Sequence, residues 1–142
     1  MRHWHERMMQ MAETVATWSK DPSTQVGAVI ARPDRTIASV GFNGFPRNVE
    51  DLDARYEDRS TKYKFVVHAE VNAIMHAREP LDHCTLYVTP FAPCATCAGI
   101  IIQSGIKRVG VPLNHASDRW SDDMKAAATM FTEAGIEVFT VG

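Results

Sequence analysis

The stretch that most constrains this chain runs from His68 to Cys97: HAEVNAIMHAREPLDHCTLYVTPFAPCATC. HAEVNAIMHAREP reads as a helix stopped by Pro80, CTLYVTP (84–90) as a strand, and CATCAGIIIQSG as a helix ended by Gly105. His68 opens the first helix and Cys94 the second. Cys94 and Cys97 stand one turn apart, so both sulfurs can face one point. With the strand between them, the two helix N-termini fall near the carboxyl edge of a sheet, where open α/β sheets keep their sites. A helix N-terminus favours thiolate over thiol, and thiolate is the form that binds metal. Pro93 suits a helix start, where a missing N–H costs little.

The remaining pattern supplies that sheet. Trp4, Met8, Met11, Val15 and Trp18 recur at helical spacing, so residues 3–19 read as an amphipathic helix with a Met/Trp core stripe. QVGAVIA (25–31) and TIASVGF (36–42) are β-rich runs around the turn RPDR, an antiparallel hairpin. Residues 43–64 are polar and read as a long loop with room for a short helical piece, a length that points to function or disorder. KRVGV (107–111), an alanine-rich helix over 119–134 ending at Gly135, and the strand IEVFTV complete the order α-β-β-α-β-α-β-α-β. Such an order predicts one domain over residues 1–142, a three-layer α/β/α sandwich with a mixed five-stranded sheet.

Composition narrows the classes. No apolar run reaches the length of about 18 residues that a membrane helix needs. MRHWHERMMQMAETVATWSK carries charge throughout, unlike an export signal, so a reducing cytoplasmic setting is expected. Three cysteines, an odd number, argue against a disulfide framework. A net charge of −2 and the acidic stretch EDLDARYEDRS argue against a nucleic-acid-wrapping surface.

A cytosolic C-x-x-C beside βαβ units can be a redox pair, part of a structural zinc site, or part of a catalytic one. Structural zinc sites close with four ligands. No fourth Cys or His stands at a motif-like spacing, and Cys84, at the start of a strand, reads as core. His68, Cys94 and Cys97 plus water match the catalytic pattern of one Zn2+ ion. Glu70, two residues past His68, then serves as general acid/base, handling the proton of a water whose pKa zinc lowers from about 15.7 to about 7. His3 and His5 on the first helix, and His76, His83 and His115, read as surface histidines.

H-x-E followed by P-C-x-x-C is the signature of zinc-dependent nucleobase deaminases. The likeness extends through SKDPSTQVGAVI (19–30), GFNGFPRNVED (41–51), TKYKFVVHAEVNAI (61–74) and PCATCAGIIIQSGIKRV (93–109). In these blocks the chain resembles the deoxycytidylate (dCMP) deaminases of the cytidine/deoxycytidylate deaminase superfamily. Free-cytidine deaminases usually carry C-A-E, and the tRNA adenosine deaminases lack the SKDPSTQVGA and NGFPR–TKY blocks.

The resemblance implies a cytidine deaminase-like fold and hydrolysis of dCMP to dUMP and ammonia, a step that feeds dTMP synthesis. It implies that Asn43 bonds the sugar, that the Ala69 backbone holds the base carbonyl, and that Val26 lies against the ring. Lys20 and Arg47, in matching segments, are the cations it offers for the phosphate. It further implies a homo-oligomer, a hexamer by family, and a dCTP/dTTP effector with Mg2+. Simpler readings stand beside these: Asn43-Gly44 also fits a plain turn, Val26 the core, and Lys20 and Arg47 a solvated surface.

Two departures bear on regulation and substrate. Phe42 stands where members often have Tyr in G-Y-N-G. NHASDRWSDD replaces a tyrosine-containing segment, with Trp120 available for aromatic packing. The alternative substrates are 5-methyl-dCMP, CMP, or a base in a polynucleotide.

Overall fold

The computed structural model describes residues 2–114 and 122–142; His115 and Trp120 lie outside the described residues, as does the expected start of the last helix. The helices are α1 (Arg2–Ala16), α2 (Asp53–Glu57), α3 (Arg59–Phe65), α4 (Ala69–His76), α5 (Ala95–Gln103) and α6 (Asp122–Ala134). The strands are β1 (Gly27–Ala31), β2 (Ile37–Phe42), β3 (Thr85–Thr89), β4 (Arg108–Pro112) and β5 (Glu137–Val141).

The five strands form one sheet in the order β2-β1-β3-β4-β5. β1 pairs antiparallel with both β2 and β3, whereas β3–β4 and β4–β5 are parallel. Alternation divides the core between the two faces. Val29, Ala31 and Tyr87 meet Met8, Ala12 and Val15 of α1 on one face. Ala28, Ile30, Leu86, Val88 and Val109 meet Ala69 and Ala73 of α4, Ala98 and Ile101 of α5, and Ala127 and Phe131 of α6 on the other. The mixed α/β/α sandwich expected from the element order is the fold observed.

Two glycines seat the helices on the sheet. A Cβ on Gly27 would lie 2.1 Å from the Ala12 carbonyl oxygen and 2.5 Å from the Ala16 nitrogen, both backbone of α1. One on Gly41 would lie 2.4 Å from the Ala73 nitrogen and 2.6 Å from the Ala69 oxygen, both backbone of α4.

The departures from expectation are local. α1 stops at Ala16 because Thr17, Trp18 and Ser19 bond back to the third residue before each, tightening the turn. Trp18 therefore leaves the core stripe; it is 53% exposed and meets Phe42 edge-on. The polar stretch 43–64 holds two short helices rather than one loop, with Phe45 stacked on Tyr56 at 4.1 Å and Phe65 edge-on to Phe45. His5 is half-buried rather than freely exposed: its Nδ1 lies 2.7 Å from the buried Tyr87 hydroxyl, and its ring packs on Phe139. A buried hydroxyl needs a polar partner, and α1 supplies one here. Burial, with Arg108 nearby, holds the His5 imidazole below its ordinary pKa. His3, His76 and His83 are exposed as expected, and Cys84 is buried in the core. Among the described residues, no helix is long and apolar enough to cross a membrane.

Because the atoms facing Gly27 are backbone, neither side can yield cheaply. Gly27→Ala is expected to destabilise the fold by about 2–3 kcal/mol, read as a lower urea midpoint with an unchanged slope.

Candidate active site

The register assembles the site. Gly27 lies opposite Phe42 on one side and Thr89 on the other. The entry to β1, the exit of β2 and the exit of β3 therefore share one edge of the sheet. Val26 stands on the first, Asn43 on the second, and Pro93 and Cys94 beyond the third. Gly44 bridges to Val67, which delivers the next residue, His68, to the same edge.

His68 and Cys94 are the N-cap residues of α4 and α5, both extended, and neither side chain makes a capping hydrogen bond. Their polar atoms turn to each other instead. His68 Nδ1 lies 3.2 Å from Cys97 Sγ and 3.6 Å from Cys94 Sγ. All three ligand atoms lie within 4.8 Å of one another. Tetrahedral zinc, with Zn–S of about 2.3 Å and Zn–N of about 2.0–2.1 Å, sets nitrogen and sulfur about 3.6 Å apart. The set thus fits a metal ion, and its two sulfurs and one imidazole are donors that zinc favours.

Electrostatics support a thiolate here. Cys97 hydrogen-bonds to Cys94 and His68 stands beside it, which pulls the Cys94 thiol down to about 4. The same bond from the other side, with burial added, pushes Cys97 up. The hydrogen bond with Cys94 raises His68, against the pull of burial. Glu70, in the first turn of α4, is only 5% exposed. Burial pushes its carboxyl up to about 7, with nearby His68 opposing the rise.

These groups open onto a cavity of about 870 Å3. Val26, Asn43, His68, Ala69, Glu70 and Cys94 all line it, with Phe91, Ala92 and Met124 adding apolar wall. Its remaining polar wall comes from Asp21, Ser23 and Thr24 before β1 and from Arg59, Lys62 and Tyr63 of α3. One hydrogen-bond network joins these parts. Lys62 Nζ donates to Asp21 Oδ1 at 2.9 Å and to Ser23 Oγ at 2.7 Å. Asp21 Oδ1 also accepts from the backbone N–H groups of Ser23 and Thr24. Asn43 donates to the Thr24 carbonyl at 2.9 Å and accepts from the Val26 N–H at 2.9 Å. Asn43 is 7% exposed, and its amide ties the two strand ends together, which the reading as a plain turn does not capture.

Lys20 and Arg47 do not join this wall. Asp21 turns inward and leaves Lys20 outside, where it pairs with Asp51 at 3.3 Å; Arg47 is exposed and does not line the cavity. The cations that do line it, Arg59 and Lys62, fell in the segment read as loop. Their signal was helical spacing: Arg59, Lys62, Tyr63 and Val66 stand at i, i+3, i+4 and i+7, and all four line the cavity.

Fold and site together define a hydrolytic metalloenzyme architecture. The chain belongs to the cytidine and deoxycytidylate deaminase family, whose zinc-binding region it matches over residues 2–112. It is 48% identical over 137 residues to an uncharacterized deaminase encoded in the luxG 3′ region of Aliivibrio fischeri, covering 95% of this chain and 91% of that one. It is 40% identical over 139 residues to the deoxycytidylate deaminase of Homo sapiens, covering 94% of this chain and 76% of that one. The crystal structure of the dCMP deaminase of cyanophage S-TIM5 in complex with dCMP and dUMP has a similar fold. Its TM-score is 0.76 at 25% identity, over 99% of this chain and 98% of that one.

The network makes Asp21 a stability group with a pH signature. Burial opposes its ionisation, but the Lys62 bond and the Ser23 and Thr24 N–H groups win and hold the carboxyl below its ordinary pKa. A carboxyl lowered in the fold stabilises it above the unfolded value, about 3.9, and loses that contribution as pH falls through the depressed folded value. Asp21→Asn is expected to lower the unfolding free energy at pH 7 by about 1–3 kcal/mol. In urea titrations at stepped pH, the gap to the unsubstituted protein should narrow below about pH 4.

Proposed function

We propose that this chain is a zinc-dependent deaminase that hydrolyses dCMP to dUMP and ammonia. The observation that carries the reading is one cavity lined both by His68 and Cys94, which with Cys97 behind them form the metal-suited set, beside buried Glu70, and by a polar wall bearing Lys62 and Arg59. The first part suits amine hydrolysis on a pyrimidine ring and the second a 5′-phosphate. The names of the human and cyanophage relatives, and dCMP and dUMP in the latter's complex, support the same substrate.

His68, Cys94 and Cys97 would hold a zinc ion, which would supply Lewis-acid activation of water. Glu70 takes one proton of the attacking water and delivers it to ring N3, then moves the remaining proton of the new C4 hydroxyl to the amino group, which leaves as ammonia when the C4–N bond breaks. A carboxyl held near pH 7 by burial can do both at neutral pH. Val26 and Phe91 flank the base, and the Ala69 N–H, on the first residue of α4, faces the base carbonyl. Asn43 Oδ1 keeps a lone pair after accepting from Val26, and that lone pair accepts from a sugar hydroxyl. Ser23, Thr24, Arg59 and Lys62 receive the phosphate. These contacts close the nucleotide against both the sheet edge and α3, which a free nucleoside would not do.

Ammonia release from dCMP, CMP, deoxycytidine, 5-methyl-dCMP and a cytosine-containing single strand tests the reading, each with and without dCTP and Mg2+. dCMP is expected to lead and deoxycytidine to fail; an inert dCMP beside another reactive substrate would overturn the substrate assignment. Glu70→Gln is expected to retain zinc by metal analysis while kcat falls by about 10²–10⁴-fold. Lys62→Met is expected to raise the KM for dCMP by about tenfold or more, with zinc content unchanged.

A further inference from the structure

The N-terminal turn of α5 carries Cys94 and Cys97, yet its own N-cap side chain makes no capping bond. A cap is supplied from elsewhere: the Ala95 N–H donates to Asp123 Oδ2 at 2.9 Å. Asp123 belongs to the first turn of α6, and the next residue, Met124, lines the cavity. We propose that Asp123 is a positioning residue for the metal-binding turn, a cap borrowed from a neighbouring helix so that the Cys94 sulfur stays available for metal. The inference rests on the assignment of His68, Cys94 and Cys97 as the zinc set.

The chemistry follows from the positions. An N-cap residue ordinarily offers its side-chain oxygen to one of the first free N–H groups of the helix. A metal-binding cysteine at that place offers sulfur to the metal instead, so the helix start is left short of an acceptor. Asp123 supplies one and at the same time fixes α6 to the turn that must hold two sulfurs within bonding range of one ion. It does not line the cavity, so the cap reaches chemistry through α5, while its charge also acts through space on His68 and Cys97. Groups that orient metal ligands in this way typically change metal affinity or activity by about 10–100-fold when removed.

An acidic residue in the first turn of α6 also favours that helix's own dipole, so the test must separate the two roles. Zinc itself is the probe, measured by competition with a chromophoric chelator on full-length protein. Asp123→Ala is expected to weaken zinc binding about tenfold or more. Asp123→Asn, which keeps an acceptor oxygen, is expected to stay within about threefold of the unsubstituted protein, and Asp122→Ala, altered in the same turn of α6, to be unchanged. The donor can be deleted as well. Ala95 is the first residue of α5, where proline is tolerated, and extended Cys94 already has the backbone that a following proline requires. In an Ala95→Pro background, Asp123→Ala is expected to shift zinc affinity by less than about threefold, because the bond it removes is already gone.

Unchanged zinc affinity in folded Asp123→Ala would overturn the inference. So would a full Asp123→Ala effect persisting in the Ala95→Pro background, since Asp123 would then act through its charge rather than the Ala95 N–H. If the unsubstituted protein and every variant bind no zinc, the metal assignment falls and the inference with it. Zinc binding by the unsubstituted protein with no loss in Asp123→Ala sinks only the inference.

Discussion

The site depends on β1 running antiparallel to both of its neighbours. A strand paired that way puts its own start beside the ends of the other two, and here Gly27 faces both Phe42 and Thr89. Three chain reversals therefore share one edge without any long-range loop having to find it. A one-residue slip in this register would carry Ala28 and Ile30 from the α4–α5 face to the α1 face. Such a slip would also bring side chains to the places where Gly27 and Gly41 admit helix backbone. Core packing and site assembly are thus one constraint, and the site is held by some of the most deeply buried residues of the sheet.

On that edge, two kinds of polar group are treated in opposite ways. Around Asp21, polar atoms are matched pairwise: carboxylate to ammonium and N–H groups, amide to carbonyl and N–H. Such matching makes a buried polar network tolerable in a low-dielectric setting and rigidifies the cavity wall before β1. Around Glu70, burial instead pushes a carboxyl toward neutrality. A carboxyl held that way stabilises the fold only while protonated, so it serves the fold poorly at neutral pH and suits the proton transfer proposed for it.

Much of this was legible in the sequence because it rests on short-range signals. Helix and strand periods, the Gly105 and Gly135 stops, and the pairing of His68 with Cys94 and Cys97 are all local patterns joined by one strand. Both glycines adopt positive φ at the helix ends, as such stops require. What was not legible depends on facing surfaces. Lys20 and Arg47 were plausible cations by position, but a side chain one residue from a buried Asp points the other way. Lys62 and Arg59 were hidden because helices as short as α2 and α3 have little propensity of their own. They hold through Phe45, Tyr56 and Phe65, and through Lys62, contacts that no window of the sequence contains. His5 was misread for the same reason: its partner, Tyr87, stands 82 residues away.

The departures from ordinary folding rules cluster, and the clustering carries meaning. Two helices begin with His and Cys, poor caps that do not cap. A glutamate is buried at the start of one of them, and the other borrows its cap from a third helix. Each of these would weaken a fold if scattered. Gathered around one cavity, they share an explanation under the proposed function: the side chains that ordinary helix starts use for themselves would instead hold an ion and move a proton. Elsewhere the chain follows the rules closely, with alternating strands, glycine at helix ends and apolar helix faces turned to the sheet. That conformity is what lets the sheet edge carry so many exceptions in one place.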